Sequence, residues 1–291
     1  MTVPPSQPPP APTRRTVRRG SVDIAFWTSG PAEAPPILLL HPVGLDHHAF
    51  DEVAERVVDR FRLVIPDLRG HGETRADAAE MGLPAMARDV LAVLDAFASA
   101  DAYGPDRPVH LVGHSMGGVV AALIAASAPR RFASLHLVAT PAEGGPVFRE
   151  RGQAALRSGM TGVVDSTLRR WFTQESLTAG VPGVDYARER VLAMAPDVWA
   201  AAWNSLAGFP GFGEIGPRLP RTYCVSAGQD VSTPPSVLAQ IADAVPTSVA
   251  RHVVPGAGHL LTLERPAAVA SLLADDWELS GQPAGGMGEL A

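Results

Sequence analysis

The chain alternates short apolar runs with stretches of helical periodicity, and this alternation limits its possible folds more than any other feature. Residues 37–40, 61–66 and 135–138 are apolar at nearly every position, as expected for strands that are buried on both faces. Stretches with helical spacing of apolar residues separate such runs, for example residues 84–99. The sequence therefore predicts an α/β fold in which helices flank a mostly parallel central sheet.

The composition excludes several classes of function. The chain has 24 basic and 30 acidic residues and a net charge of -6, which argues against a nucleic-acid-binding surface. All the basic residues are arginine, so chemistry that needs a lysine Schiff base or a P-loop lysine is excluded. No run approaches the roughly 18–20 apolar residues that cross a bilayer. The single cysteine, Cys224, supplies neither an intramolecular disulfide nor a multi-cysteine metal site.

The two ends of the sequence differ from the rest in composition. Residues 1–16 are rich in proline and residues 281–291 are rich in glycine, which predicts a disordered tail and a flexible tail. The arginine pairs near the start are not followed by an apolar signal segment, so we expect a cytoplasmic protein. Its expected partner is a small-molecule substrate, with no nucleic acid or membrane. The sequence does not indicate an oligomeric state.

One internal segment interrupts the alternation. Residues 141–217 have helical patterns only and contain three of the five tryptophans. We predict that this segment is a helical cap inserted after the sixth strand, and that residues 17–140 and 218–280 together form the α/β core. The alternative is an ordinary helical excursion that packs against the sheet.

A serine stands in the most informative motif. Residues 113–118 (GHSMGG) follow a predicted strand directly and precede an alanine-rich helix. A G-x-S-x-G motif between a strand and a helix is typical of a nucleophile elbow, where glycines permit close backbone approach around a strained serine. Ser115 is therefore a candidate nucleophile, and the Met116 N–H at the helix start is a candidate oxyanion donor. The alternative is a phosphate-binding turn or merely a tight one.

A serine nucleophile needs a base, and the base needs an acid to orient it. His259 follows the last predicted strand in a loop of small residues, and Asp230 follows the preceding strand. Both positions lie at the sheet edge expected for Ser115. Asp243 and Glu264 are rival acids, but their positions predict exposed helix surfaces.

The loop after the third strand provides further candidates. Its Val43 N–H is the candidate second oxyanion donor, although Pro42 beside it has no N–H to donate. In the same loop Asp46, His47 and His48 are consecutive. We expect no metal site there, because the sequence shows no pair of elements that would bring three ligands together. No cofactor is expected.

The motifs HPVGLD, DLRGHG, GHSMGG, AGQDVSTPP and GAGHLLTLERP together resemble the α/β-hydrolase superfamily over residues 17–280. The chain order Ser115, Asp230, His259 is that of the superfamily. Within it the sequence is most similar to the 3-oxoadipate enol-lactonase group, because a Gly-Met pair at position 159 precedes Arg-Trp-Phe-Thr at position 170. The resemblance implies a cofactor-free serine hydrolase that cleaves a small carboxylic ester or enol-lactone through an acyl-enzyme.

Five residues are candidate substrate contacts. Phe148 stands where the enol-lactonase group usually has tryptophan, whereas Arg151 matches the group. The planar guanidinium of Arg151 suits a substrate carboxylate; the alternative is a solvated cap arginine. Trp171 and Trp203 in the cap and His114 beside the nucleophile complete the set, although a packed, structural role is an alternative for each of these three.

Other reactions remain open at this stage. The same fold and triad serve hydrolysis of a carbon–carbon bond in a β-diketone in related families. A biosynthetic lyase or cyclase, or a ligand-binding protein, can also retain the triad. Fold-level resemblance does not separate these alternatives.

Overall fold

Eight strands form one sheet in the computed structural model, which describes residues 11–100 and 107–280. The spatial order is β1-β2-β4-β3-β5-β6-β7-β8, with β2 antiparallel to β1 and β4 and all other pairs parallel. The prediction of an α/β fold with a mostly parallel sheet is confirmed. The strands are β1 (Thr13–Arg19), β2 (Val22–Ser29), β3 (Pro36–Leu40), β4 (Arg62–Pro66), β5 (Val109–His114), β6 (Phe132–Val138), β7 (Thr222–Ala227) and β8 (Ser248–Val254).

Helices flank the sheet, and the central strands β3 and β5 are buried at every residue. Such burial explains why β3 (PILLL) is a continuous apolar run. None of the helices in the described ranges is long and apolar enough to span a membrane. The α-helices are α1 (Asp51–Val57), α2 (Leu83–Ala100), α3 (Met116–Ser127), α4 (Pro146–Trp171), α5 (Gln174–Ala179), α6 (Pro182–Ala193), α7 (Pro196–Ala207), α8 (Pro235–Ala244), α9 (Leu261–Glu264) and α10 (Pro266–Ser280).

The first strand corrects one predicted boundary. β1 begins at Thr13, so the predicted disordered tail of residues 1–16 extends too far. The segment pairs antiparallel with β2 although Val17 is its single apolar residue. Arginines along an edge strand discourage pairing with other chains. They also leave the strand without the apolar alternation by which a strand is predicted from sequence. Residues 1–10 and the predicted tail at 281–291 lie outside the described residues.

Four helices, α4 to α7, lie between β6 and β7, where the sequence predicts the cap. Helix α4 consists of two arms that meet at Gly159, whose φ of 69° breaks the helical geometry. The arms pack against α6 and α7. Helix α7 approaches closely enough that a side chain at Gly152 would press on the Ala200 backbone. The segment therefore packs as helices on one another. Its role as a cap and its limits at 141 and 217 remain predictions, and 'the cap' below denotes helices α4 to α7.

Candidate active site

The turn between β5 and α3 holds Ser115 in a strained conformation. Its φ of 54° and ψ of -115° lie outside the regions that non-glycine residues usually adopt. The neighbouring positions must be glycine because the turn leaves no room for side chains there. A Cβ at Gly113 would overlap the Gly117 carbonyl, and one at Gly117 would overlap the Leu40 carbonyl. The elbow therefore needs glycine at both positions, as the motif predicted.

Ser115, His259 and Asp230 form one hydrogen-bonded series. His259 Nε2 lies 3.0 Å from Ser115 Oγ, and His259 Nδ1 lies 2.8 Å from Asp230 Oδ2. Because Asp230 accepts at Nδ1, the ring carries its proton there and Nε2 is left to accept from the serine hydroxyl. All three side chains are buried, with at most 6% of each residue exposed.

The surroundings of Asp230 keep its carboxylate ionised. Thr233 Oγ1 donates to Oδ2 at 2.6 Å, while the Ser232 and Thr233 N–H groups donate to Oδ1 at 2.7 and 3.0 Å. Burial by itself would raise the pKa of Asp230, but the neighbouring His259 and the Thr233 hydrogen bonds outweigh burial and lower the pKa to about 2. Thr233 also lies 3.2 Å from His259 Nδ1. Thr233 is not among the site residues predicted from the sequence.

Sheet topology explains why these three residues meet. Ser115 follows β5, Asp230 follows β7 and His259 follows β8. The three strands are parallel and close neighbours in the sheet, so their carboxyl ends share one edge. Ligand sites of open α/β sheets lie at this edge.

The loop after β3 is oriented by a buried histidine. His41 Nε2 accepts the Leu68 N–H at 2.9 Å, so its Nδ1–H donates to the Pro42 carbonyl at 2.8 Å. The peptide bond is trans, so the Val43 N–H points opposite to that carbonyl. Within the described ranges, neither the Val43 nor the Met116 N–H donates to a protein acceptor. Both donors are free to meet an oxyanion, and that role remains a prediction.

The structure corrects the prediction that His114 contacts the substrate. It is fully buried, its Nε2–H donates to the His259 carbonyl at 2.8 Å, and its Nδ1 lies 3.3 Å from the Thr262 hydroxyl. Burial and the neighbouring His259 lower the pKa of His114 to about 3, so the ring is neutral. With both ring nitrogens engaged, His114 supports the His259 backbone and has no group left for a substrate.

Arg151 lies against aromatic rings in the cap. Its guanidinium carbon is 5.0 Å from the Trp203 ring centroid and 5.3 Å from that of Phe148, and these two rings stack at 5.7 Å. Burial lowers the pKa of Arg151, and the charge of Asp230 opposes the shift. Across the part of the chain that the structure describes, no carboxylate or other acceptor pairs with this guanidinium. A half-buried cation without a counter-ion favours an anionic ligand.

The cap tryptophans pack in a row beside the loop after β3. Trp203 lies 5.7 Å from Trp199, and Trp199 lies 6.1 Å from Trp171, centroid to centroid. A side chain at Gly44 would press on Trp199 and Trp171, so their rings lie directly against the loop that carries Val43. The indole N–H groups of Trp199 and Trp203 are buried without a partner among the described residues. Substrate contacts of Phe148, Trp171 and Trp203 remain predictions.

The structure does bring Asp46, His47 and His48 together. Their potential ligand atoms lie within 4.8 Å of one another without any pair of elements to join them, and the expectation of no metal site stays a prediction. A 3-10 turn at residues 47–50 explains the grouping. Each group already has a protein partner: Asp46 accepts from Tyr186, His47 pairs with an aspartate at 2.9 Å, and His48 pairs with Asp51 at 2.6 Å. Through Tyr186 the cluster ties the loop after β3 to cap helix α6.

Comparison with known proteins places this geometry in context. A sequence profile described as "Alpha/beta hydrolase family" matches residues 37–272. The magnesium-chelatase 30 kDa subunit of Rhodobacter capsulatus is 34% identical over 48% of this chain and 49% of its own length. The 3-oxoadipate enol-lactonase 1 of Acinetobacter baylyi is 30% identical over 55% and 58%, respectively. The matches thus span about half the length of these curated relatives.

Solved structures are similar over nearly the whole chain. A thermophilic esterase from Thermogutta terrifontis, solved with malate bound, superposes with a TM-score of 0.82 at 26% identity, covering 93% of this chain and all of that one. The enol-lactonase from Burkholderia xenovorans LB400 also has a TM-score of 0.82, at 22% identity and 91% coverage of this chain and 100% of that one. The second likeness concerns the fold alone.

Proposed function

The chain belongs to the alpha/beta hydrolase family, and from this premise we propose that it is a cofactor-free serine hydrolase that cleaves a small carboxylic ester or enol-lactone. The observation that carries the proposal is the series of two hydrogen bonds, 3.0 Å from Ser115 to His259 and 2.8 Å from His259 to Asp230. The strained elbow of Ser115 and the two free N–H groups beside it support the same function.

The first half of the reaction forms an acyl-enzyme. Ser115 Oγ attacks the carbonyl carbon while His259 Nε2 takes the hydroxyl proton, and Asp230 remains ionised to stabilise the imidazolium. The carbonyl oxygen becomes an oxyanion that accepts hydrogen bonds from the Met116 and Val43 N–H groups. When the tetrahedral intermediate collapses, the carbon–oxygen bond breaks and His259 gives its proton to the leaving oxygen.

The second half releases the acid. A water molecule gives a proton to His259 and attacks the acyl carbon, which again passes through an oxyanion held by the same two N–H groups. Collapse returns the proton from His259 to Ser115 Oγ and frees the carboxylic acid. In a lactone the leaving oxygen stays attached to the acyl group, so one molecule with a new carboxylate and a new hydroxyl or keto group leaves the site.

The cap side of the site supports a substrate rich in acceptors. Arg151 and the indole N–H groups of Trp199 and Trp203 are donors that lack protein acceptors within the described ranges. A substrate carboxylate distant from the scissile bond would pair with Arg151 and serve as its counter-ion. The similar Thermogutta esterase, with malate bound, and the Acinetobacter relative, described as an enol-lactonase, are consistent with small organic acid derivatives.

A substrate panel tests the proposed function. Purified protein is assayed on p-nitrophenyl esters, enol-lactones, γ-lactones and β-diketones, beside Ser115→Ala and a matched control, Ser127→Ala, at the exposed far end of the same helix. We expect ester or lactone hydrolysis that Ser115→Ala lowers by about 10³-fold or more and that Ser127→Ala leaves unchanged.

Three results of the panel would contradict the proposal. Full activity in Ser115→Ala would exclude a serine mechanism. Cleavage of diketones without cleavage of esters or lactones would favour a carbon–carbon hydrolase. An absence of turnover on every substrate, in a protein whose Ser115 still reacts with a phosphonate, would favour a lyase or a ligand-binding protein.

A further inference from the structure

The backbone around His259 is held on three sides. The Gly258 N–H donates to Glu264 Oε2 at 2.6 Å, the His259 carbonyl accepts from His114 at 2.8 Å, and the Leu260 N–H donates to the Trp171 carbonyl at 3.0 Å. Trp171 ends α4 and therefore belongs to the cap. One of the three supports of the proposed catalytic base thus comes directly from the cap.

Glu264 links a second of these supports to the cap. The sequence predicts an exposed helix position for Glu264, but only 8% of the residue is exposed. Its Oε1 accepts the Thr173 N–H and the Thr173 hydroxyl, both at 2.9 Å. Thr173 caps the N-terminus of α5, directly after α4. One buried carboxylate therefore binds the junction of two cap helices with one oxygen and the peptide before His259 with the other.

The junction between the cap and the His259 loop is tightly packed. A Cβ at Gly258 would lie 2.8 Å from the Glu264 carboxylate, 2.9 Å from the Trp171 carbonyl and 3.0 Å from the Thr173 nitrogen. A side chain therefore has no room at this position, and the Gly258 backbone lies directly against the segment between α4 and α5. A displacement of either side must be followed by the other or must break these hydrogen bonds.

We propose that Glu264 is a positioning residue that couples the seating of the cap to the placement of the His259 ring, through the Gly258 peptide. The inference rests on the proposed function, because it takes His259 as the base for Ser115. Glu264 touches neither the reacting atoms nor the His259 ring; it fixes the backbone from which that ring extends. A correctly seated cap then keeps His259 Nε2 within hydrogen-bonding distance of Ser115.

The three donors around Glu264 require a carboxylate at this position. A carboxylate offers acceptors on both oxygens, whereas an amide of the same size offers one acceptor oxygen and an NH₂ donor. In Glu264→Gln the amide nitrogen must face either Gly258 N–H or Thr173 N–H, donor against donor. This substitution therefore breaks the link between the cap and the loop while leaving the volume of the site unchanged.

The test measures phosphonylation of Ser115, which needs no knowledge of the substrate. A small alkyl fluorophosphonate reacts when Ser115 Oγ attacks phosphorus, fluoride leaves and His259 takes the hydroxyl proton. The concentration dependence gives the maximal inactivation rate constant, kinact, and the half-saturating concentration, KI. We expect Glu264→Gln to lower kinact by about 10- to 100-fold, as a small misplacement of a catalytic group does, with KI within about two-fold because a small reagent does not use the cap.

Two further variants separate coupling from general destabilisation. Thr173→Val removes the cap-side hydroxyl and should lower kinact in the same direction, and the double variant should fall no further than Glu264→Gln alone. Glu175→Gln is the matched control: Glu175 is exposed and pairs at 3.9 Å with Arg265, so it joins the same two segments at the surface. Because such pairs contribute little, kinact should stay within about two-fold.

The outcomes distinguish the two proposals. If wild-type Ser115 does not react with the phosphonate, the proposed function fails. If wild type reacts and folded Glu264→Gln reacts at the same kinact, or if Glu264→Gln and Thr173→Val add independently, the coupling is wrong. Circular dichroism at the assay temperature establishes that each variant is folded. Should Glu264→Gln fail to fold, Thr173→Val decides, and an unchanged kinact in that variant overturns the inference.

Discussion

The two halves of the site differ in how completely their polar groups are satisfied. On the core side, Ser115, His259 and Asp230 all have partners, and Asp230 receives four hydrogen bonds counting His259. On the cap side, the Arg151 guanidinium and two buried indole N–H groups lack acceptors in the residues described. The three triad residues thus have all their partners within the protein, whereas the cap donors have no acceptor among the described residues. Under the proposed function, we therefore expect bond cleavage at the core and substrate choice at the cap.

The largest effect should come from the core acid. Asp230→Asn keeps the size of the side chain but removes the charge that fixes the His259 tautomer, so we expect kcat to fall by about 10³- to 10⁴-fold. Asp243→Asn is the matched control, because Asp243 is exposed and pairs only with Arg251 within the described ranges. Comparable losses in the two variants, measured on the same ester, would show that Asp230 is not the orienting acid.

On the cap side we predict a change in selectivity between anionic and neutral substrates. Arg151→Met keeps an apolar stem against Phe148 and Trp203 but removes the cation. For a pair of esters that differ only in a distant carboxylate, kcat/KM of the anionic ester should fall by about 10²-fold and that of the neutral ester by a few-fold at most. Arg157→Met, at an exposed arginine paired with Glu150, should change neither. Equal losses of kcat/KM on both esters would contradict the assignment of substrate choice to the cap.

The low pKa of Asp230 predicts a pH dependence of stability. The pKa is lowered from 3.8 to about 2 in the folded protein, so the ionised group stabilises the fold above about pH 4 and this stabilisation disappears as pH falls towards 2. The shift of nearly two units corresponds to about 2 kcal/mol. Urea unfolding of wild type and Asp230→Asn should therefore give free energies of unfolding that converge between pH 4 and pH 2. A constant difference over this range would mean that Asp230 gains no stability from its ionised form.

The smallest effect concerns His114, which supports His259 from the core side. His114→Leu removes the donor to the His259 carbonyl, and we expect kcat to fall by about 10-fold with KM unchanged. His114→Gln restores a donor nitrogen near the same place and should recover part of the loss. If KM rose instead and the glutamine did not help, His114 would be a substrate contact after all, and the correction made above would be wrong.

The core half of the site could be predicted because local sequence marks it. Each of its residues follows a strand that the sequence predicts, and the turn at Ser115 requires glycines that the sequence displays. Parallel strands bring their carboxyl ends to one edge, so strand assignment alone placed Ser115, Asp230 and His259 together. Local pattern and topology agree here, which is why a reading of short segments succeeds.

The remaining features depend on contacts between distant segments. Glu264 reaches Thr173 across 91 positions, and its burial follows from the cap lying on that loop, whereas its helical surroundings predict exposure. The unpaired indole of Trp199 is likewise visible only once α7 packs against α4. β1 escaped detection because arginines occupy an edge strand that is stabilised by pairing with β2. Tertiary packing overrides local pattern at each of these places.

Identification of the residue that reacts with a fluorophosphonate tests the central claim most directly. Wild type and Ser115→Ala are treated with the reagent, digested, and analysed by mass spectrometry beside a hydrolysis assay of the same samples. We predict one adduct, on the peptide that contains Ser115, with activity lost in proportion to labelling, and no adduct in Ser115→Ala. An adduct on another serine, or full hydrolysis by a protein completely labelled at Ser115, would contradict the assignment of bond cleavage to the core elbow.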